Sequence, residues 1–187
     1  GVPLVVQGRI FGIISVQSRQ PNLYSNEQVS LLETITIKAA VFIEGSNIYF
    51  AQKKAGIWLD WLKVKHFLGS KYRIGSIRYY VGVRKRDPKM RSFLKKLKKI
   101  GFKVVAKPVK IIKDESGREL EKANFDVEIT ADILQSASAG IVILFTGDSD
   151  FAYLVKVLHK EGRKVVVFSS RKTLSWELKL STDKYIF

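Results

Sequence analysis

Five consecutive apolar residues, Ile141 to Phe145, form a continuous hydrophobic run in the C-terminal part of the chain. Such a run is typical of a strand that is buried on both faces of a parallel sheet. A polar turn follows, and apolar residues then recur at the spacing of one helix face, at Phe151, Leu154, Val155 and Leu158. The pattern therefore predicts a buried strand, a short turn and an amphipathic helix.

The same alternation of strand and helix patterns extends over residues 40–187. Further strands are predicted at residues 74–83, 102–109 and 165–168, and further helices at residues 48–54, 58–68, 90–100, 127–134 and 174–180. Ser46 and Asn47 are predicted to cap the first helix. Trp58 and Trp61 are expected to pack in the core rather than to stack on bases. Strands that alternate with helices predict a three-layer α/β/α domain with a parallel, doubly wound sheet.

Residues 39–45 admit two interpretations. They could continue a preceding helix, or they could form the first strand of the sheet and end it at Glu44. The glycine at position 45 disfavours a helix interior, and the β-branched and aromatic residues at positions 41–43 favour a strand. We therefore expect a strand with Glu44 at its carboxyl end.

Residues 1–39 follow a different pattern. Apolar runs at residues 3–6 and 10–16, separated by a turn with Gly8, predict a β-hairpin, and a helix is predicted after Ser25. With its SRQP loop, this fragment resembles the closing hairpin and helix of a GAF domain. The part of a GAF domain that encloses a small molecule is missing, so we expect the fragment to pack on its neighbour or on a second subunit, as a homodimer.

The net charge of +16, with a pI near 10.0, points to a polyanionic partner, most simply a nucleic acid. The segment from Arg84 to Lys122 alone carries 15 Lys and Arg against 5 Asp and Glu. We expect basic residues to contact a phosphate backbone, and the alternative is a merely solvated face. The candidate contacts are Arg84, Lys85, Arg86, Lys122, Arg171 and Lys172.

Several classes of protein are excluded by composition. The chain has no cysteine, so it has neither disulfides nor Cys-ligated zinc. No apolar run approaches the roughly 20 residues of a membrane span, so no membrane partner is expected. The first residues lack the basic start of a signal peptide. These features predict a cytoplasmic protein.

Carboxylates stand where predicted strands end. Asp148 and Asp150 follow the buried strand described first, Glu44 ends another strand, and Asp126 stands near the start of a predicted helix. The carboxyl ends of parallel strands form the usual ligand crevice of an open α/β sheet, so we expect these acids to lie close together. Oxygen ligands without Cys or a His pair suit Mg²⁺ or Mn²⁺. The alternative is that Asp150 only caps a helix and Asp148 only forms a turn.

Four segments resemble the NYN domain, the LabA-like branch of the PIN-like nucleases: VFIEGSNIYF, KANFDVEITADIL, TGDSDFAYLVKVLHKEGRKVVVFS and SWELKLSTDKYIF. The resemblance spans residues 40–187 and implies a PIN-like fold and a metal-dependent ribonuclease acting on RNA. By position it implies that Asp126, Asp148 and Asp150 are metal ligands in the catalytic site. It also implies that Asn47 orients the first acid of the site or a phosphate.

Glu44 departs from the family's motif, which is of the DGSN type and begins with an aspartate. A glutamate carboxylate reaches about 1 Å further from the same backbone, and Mg²⁺ tolerates misplaced ligands poorly. We therefore expect low nuclease activity, higher with Mn²⁺ than with Mg²⁺.

Three other functions stay open. The first is a catalytically weak or inactive RNA-binding module of the same fold. The second is a phosphatase of the haloacid dehalogenase type, suggested by residues 147–150 but lacking the aspartate nucleophile, because Glu44 begins the corresponding motif. The third is a regulatory fusion in which the GAF-like fragment senses a ligand.

Overall fold

The computed structural model describes residues 2–6, 9–14, 25, 37–113 and 119–187. Strands β1 (Val2–Val6) and β2 (Arg9–Ile14) pair antiparallel, which confirms the predicted hairpin. The loop predicted before Ser25 and the helix predicted after it lie outside the described residues.

The central sheet contains six strands, all parallel to their neighbours. They are β3 (Lys38–Glu44), β4 (Arg73–Val83), β5 (Lys103–Pro108), β8 (Ile141–Phe145), β9 (Lys164–Phe168) and β10 (Lys184–Ile186). The spatial order of these six strands is β10-β9-β8-β3-β4-β5. A separate antiparallel hairpin consists of β6 (Lys110–Lys113) and β7 (Glu119–Lys122). The parallel, doubly wound sheet is thus confirmed, and residues 39–44 form a strand at its centre.

Six helices cover the two faces of the sheet in the described part of the chain. They are α1 (Gly45–Ala55), α2 (Trp61–Lys71), α3 (Pro88–Lys99), α4 (Asp126–Gln135), α5 (Phe151–Lys160) and α6 (Trp176–Ser181). Buried side chains of α1 to α3 share one hydrophobic core, and those of α4 to α6 share the other. The predicted three-layer α/β/α architecture is therefore confirmed. None of the described helices is both long and apolar enough to cross a membrane.

Strand β8 shows why a continuous apolar run was needed. Val142 and Leu144 point into the core beneath α4 to α6, whereas Ile141, Ile143 and Phe145 point into the core beneath α1 to α3. Successive side chains of a strand point to opposite faces, so a strand covered on both sides must be apolar at every position.

Helix α1 begins three residues earlier than predicted, at Gly45, directly after β3. Ser46 and Asn47 therefore lie in its first turn, and the prediction that they cap the helix is wrong. The residue at the cap position is Glu44, which makes no side-chain capping hydrogen bond. A Cβ atom on Gly45 would lie 2.6 Å from the Tyr80 carbonyl oxygen, so only glycine permits this immediate transition from strand to helix.

Helix α2 also differs from its prediction, because it begins at Trp61 and not at Trp58. The Asp60 carboxylate accepts hydrogen bonds from the backbone N–H groups of Leu62 and Lys63, and this capping sets the first residue of the helix. Trp61 is 8% exposed and packs edge-on against Tyr79, as expected for a core residue. Trp58 is 64% exposed, so its predicted place in the core is wrong.

Candidate metal centre

Two neighbouring strands bring the first functional side chains together. Strand β3 pairs in parallel with β8, with Ile43 opposite Phe145. The next residues, Glu44 and Thr146, therefore leave the sheet side by side at its carboxyl edge. Asp148 follows two residues later in the turn that leads to α5.

A third chain segment adds another carboxylate to this edge. Asp126 is the first residue of α4, and carboxylate oxygens of Glu44, Asp126 and Asp148 all lie within 4.8 Å of one another. We call these three residues the acidic cluster. The three side chains are partly buried, and the cluster contains only oxygen donors. Such a donor set fits a hard divalent cation such as Mg²⁺ or Mn²⁺.

Thr146 links two members of the acidic cluster. Its buried hydroxyl donates a hydrogen bond of 2.5 Å to Oε2 of Glu44 and accepts one of 3.1 Å from the backbone N–H of Asp148. Thr146 was not among the residues predicted to belong to the site. Its only signal is its place between a buried strand and an aspartate, where a hydroxyl can reach the end of the adjacent strand.

The environment of Glu44 raises the pKa of its carboxyl group. Its burial, together with the negative charges of Asp148 and Asp126, raises the pKa of Glu44 from an ordinary 4.5 to about 7. Hydrogen bonds from Thr146 and Ser46 act in the opposite direction but do not outweigh the burial. A cation at the cluster would remove the penalty by supplying the missing positive charge.

Asp126 is held by a second residue that the sequence analysis missed, Asn124. The Asn124 amide donates to Oδ2 of Asp126 at 2.6 Å, and its oxygen accepts from the Asp126 backbone N–H at 2.7 Å. Burial raises the pKa of Asp126, as do the charges of Asp148 and Asp150, whereas the bond from Asn124 and the charge of Lys122 lower it. Lys122 therefore lies close enough to act on the acidic cluster.

Asn47 lies at the same edge but contacts the backbone. Its Oδ1 atom accepts a 3.0 Å hydrogen bond from the N–H of Gly147 and so ties α1 to the turn after β8. The Gly147 carbonyl in turn accepts from the N–H of Ser175 at 2.8 Å. A Cβ atom on Gly147 would lie 2.1 Å from the Thr173 carbonyl oxygen, so this turn has no room for a larger residue.

Asp150 is exposed and is not one of the three residues whose oxygens converge. It occupies the cap position of α5 without a side-chain capping bond, and its backbone N–H donates to Oδ1 of Asp148 at 3.0 Å. Its charge still acts on Asp126. Asp132 lies elsewhere and accepts a 2.6 Å hydrogen bond from the Tyr80 hydroxyl.

Five of the six candidate RNA contacts follow strands of the central sheet, and the sixth ends the separate hairpin. Arg84, Lys85 and Arg86 follow β4, Arg171 and Lys172 follow β9, and Lys122 ends β7 just before Asn124. Arg84 and Arg86 line a cleft of about 390 Å³ together with Arg91. Of these basic residues, Lys122 acts on the acidic cluster through its effect on Asp126, and a cluster of carboxylates would by itself repel a polyanion.

The family relationship agrees with this geometry. The NYN domain matches residues 38–187 of the chain, which contain the whole acidic cluster. The chain belongs to the NYN domain family. This confirms the resemblance of residues 40–187 to a LabA-like, PIN-like nuclease domain. The match does not include residues 1–37, so the GAF-like character of the N-terminal fragment is not supported and stays a prediction, as does the homodimer.

Two relatives show how far the similarity of this NYN domain extends. Over 153 residues it is 31% identical to the low amplitude and bright protein LabA of Synechococcus elongatus, a match that covers 80% of this chain and 82% of that protein. Its fold is similar to the crystal structure of a protein of unknown function from Vibrio parahaemolyticus, with a TM-score of 0.69 and 26% identity. That match covers 80% of this chain and 91% of the other.

Proposed function

We propose that this NYN domain is a metal-dependent ribonuclease that hydrolyses RNA phosphodiester bonds at the acidic cluster. One observation carries the proposal: carboxylates from three separate segments converge within 4.8 Å at the carboxyl edge of a parallel sheet. Their mutual repulsion and the burial of Glu44 are unfavourable without a cation. Strongly perturbed carboxyl groups in a crevice are typical of functional sites.

The roles of the residues follow from their contacts. Glu44, Asp126 and Asp148 would hold a Mg²⁺ or Mn²⁺ ion, which when bound activates water and stabilises the charge on an attacked phosphodiester. Thr146 orients the Glu44 carboxylate, and Asn124 orients that of Asp126. Asn47 fixes the turn that carries Asp148 through its bond to Gly147. Asp150 adds negative charge at the rim, where we expect it to strengthen cation binding.

The basic residues around the cluster would hold the RNA backbone. Arg84, Lys85 and Arg86 would contact phosphates on one side, and Arg171 and Lys172 on the other, with Lys122 beside Asp126. The NYN family is a family of PIN-like nucleases, and this supports RNA as the polyanion.

A cleavage assay with matched variants tests the proposal. We expect the protein to cleave labelled single-stranded RNA with Mn²⁺ or Mg²⁺ and to stop when a chelator is added. Glu44→Gln and Asp148→Asn should each lower the rate by at least about 100-fold, because even residues that only orient a metal ligand are worth about 10- to 100-fold. The exposed Glu177 supplies the control, and Glu177→Gln should cleave at the parent rate.

The competing function is an RNA-binding module of the same fold with little or no activity. Glu44 in place of the family's aspartate motivates it. RNA binding without chelator-sensitive cleavage would favour this module and contradict the nuclease. Glu44→Asp provides the complementary measurement, because a faster variant would show that the longer side chain limits the rate.

A further inference from the structure

Three aromatic side chains form an exposed group on α1 and the turn that follows it. Tyr49, Phe50 and Trp58 are 48%, 63% and 64% exposed. The Tyr49 and Phe50 ring centroids lie 5.5 Å apart, and those of Tyr49 and Trp58 lie 5.8 Å apart. We call these three residues the aromatic platform. Large apolar side chains that contact one another at the surface commonly mark an interaction site.

The backbone holds the platform in place. Gly56 ends α1 with φ of 72° and turns the chain back, and the Ile57 N–H donates to the Gln52 carbonyl at 3.2 Å. The Gln52 side chain then accepts a 2.6 Å hydrogen bond from the N–H of Leu59. These two bonds bracket Trp58 and keep it against Tyr49. The arrangement is therefore built by defined contacts and not by a loose chain.

Helix geometry places the platform next to the candidate site. Asn47, Phe50 and Lys54 are spaced by three and four residues, so they share one face of α1. Asn47 binds the turn that carries Asp148, and the Lys54 ammonium donates to the carbonyl of Lys172 at 3.3 Å. Phe50 therefore lies on the helix face between the contact with the Gly147 turn, which carries Asp148, and the contact with the basic segment that follows β9.

The positive charge around the aromatic platform indicates which kind of partner it binds. Lys53 and Lys54 follow the platform on α1, and the basic segment with Arg171 and Lys172 lies across from them. Exposed aromatic rings within a basic surface are the arrangement that binds single-stranded nucleic acid, because rings stack on unpaired bases while cations hold the phosphates. A protein partner for so basic a surface would need to be strongly acidic.

We propose that Tyr49, Phe50 and Trp58 form a stacking platform for unpaired RNA bases, adjacent to the acidic cluster. This inference rests on the proposed function, because it assumes that RNA occupies the crevice. Bases within a duplex are already stacked and paired, so their faces are not available to the platform. The platform would therefore favour single-stranded over double-stranded RNA and position one stretch of it next to the carboxylates.

Binding measured without cleavage tests the platform. In the presence of a chelator, fluorescence anisotropy would report the affinity for a labelled single-stranded oligoadenosine and for an RNA duplex. Phe50→Ala and Trp58→Ala should each weaken single-strand binding by about 5-fold or more, with no change in duplex binding or in the salt dependence. Phe50→Tyr and Trp58→Phe keep a ring and should retain the affinity. Leu134→Ala removes an exposed apolar side chain from the last turn of α4, at the end of that helix away from Asp126, and should have no effect.

The results separate failure of the platform from failure of the proposed function. If the parent protein cleaves RNA but the two alanine variants bind single strands as the parent does, the platform is refuted and the ribonuclease stands. If the parent binds no RNA, both proposals are refuted. If the alanine variants bind RNA as the parent does but sediment with a different coefficient from the parent, the three aromatic residues form an interface between copies of the chain. That result also refutes the platform.

Discussion

The Thr146 hydroxyl donates a 2.5 Å hydrogen bond to Oε2 of Glu44, across 102 residues of chain. The same hydroxyl accepts from the Asp148 backbone N–H, so one buried side chain couples two of the three converging carboxylates. The bond also explains how Glu44 is accommodated at the cluster, because the longer side chain meets a fixed donor that sets the position of its carboxylate.

Replacing Thr146 by valine should reveal this coupling. Valine has nearly the same shape but no hydroxyl, so Glu44 loses its donor and the Asp148 N–H loses its acceptor. We expect Thr146→Val to lower Mn²⁺ affinity, measured by calorimetry, and the cleavage rate by about 10- to 100-fold. Thr146→Ser keeps the hydroxyl and should remain within a few fold of the parent. Equal behaviour of the valine and serine variants would contradict a positioning role.

Stability of the metal-free protein should depend on pH through Glu44. Its pKa is raised from 4.5 to about 7 in the folded state, so the folded protein holds this proton more tightly than the unfolded chain does. The free energy of unfolding is therefore highest below about pH 4.5 with respect to this group. It should fall by up to roughly 3 kcal/mol as the pH rises to about 7, and then level off.

Glu44→Gln is the matched control for this pH dependence, because it is neutral at every pH. Urea unfolding at several pH values, in the presence of a chelator, should show a smaller decline for Glu44→Gln than for the parent. Saturating Mn²⁺ should also remove the decline, because the metal stabilises the ionised carboxylate. The same decline in parent and variant would show that other groups cause it.

The basic segment after β4 should contribute to RNA affinity by binding phosphates. We expect the triple variant Arg84→Ala, Lys85→Ala, Arg86→Ala to weaken binding. The slope of log affinity against log salt should fall by roughly 0.7 to 0.9 for each phosphate that the variant no longer neutralises. A triple alanine variant at Lys95, Lys98 and Lys99 removes equal charge from the far end of α3 and serves as the control. Equal slopes for the two triple variants would show that the segment acts only through net charge.

Gly147 should tolerate no side chain. Its Cβ position lies 2.1 Å from the Thr173 carbonyl oxygen, a backbone atom that cannot move without displacing the segment after β9. We expect Gly147→Ala to lower the free energy of unfolding by about 1–3 kcal/mol. Gly69, within α2, has open space at its Cβ position, so Gly69→Ala should stabilise the protein by up to about 1 kcal/mol. Chemical denaturation of both variants checks the pair, and a neutral Gly147→Ala would contradict the close approach.

Local patterns were sufficient to predict five of the six strands of the central sheet and the approximate positions of the six described helices. The continuous apolar run from Ile141 to Phe145 predicted a strand that is buried on both faces, because a strand covered by helices on both sides carries apolar residues at every position. The predicted strand at residues 39–44 was also correct, and it was indicated by the β-branched and aromatic residues at positions 41–43 and by Gly45. The strand β10 was not predicted, because Lys184 to Ile186 is short and largely exposed and its pairing depends on the neighbouring strand β9.

The two tryptophans show where local patterns fail. Trp58 and Trp61 are three residues apart and would occupy one face of a single helix. The Asp60 carboxylate caps the helix at Trp61 and excludes Trp58 from it. One ring therefore packs in the core while the other lies at the surface, where the bonds of Ile57 and Leu59 to Gln52 hold it.

The features of the candidate site also fall into those that local sequence patterns indicated and those that only the tertiary structure decided. The sequence alone indicated that Glu44 ends a strand, that Asp148 follows one and that Asp126 stands near the start of a helix, because strand ends can be read from local hydrophobic patterns and parallel strands end at one edge. Only the tertiary structure decided that Asp150 lies outside the converging group, that Thr146 and Asn124 hold the carboxylates, and that Asn47 binds Gly147. These contacts join atoms from different elements, and their distances depend on how β3, β8, α1 and α4 pack together. No local pattern encodes such distances.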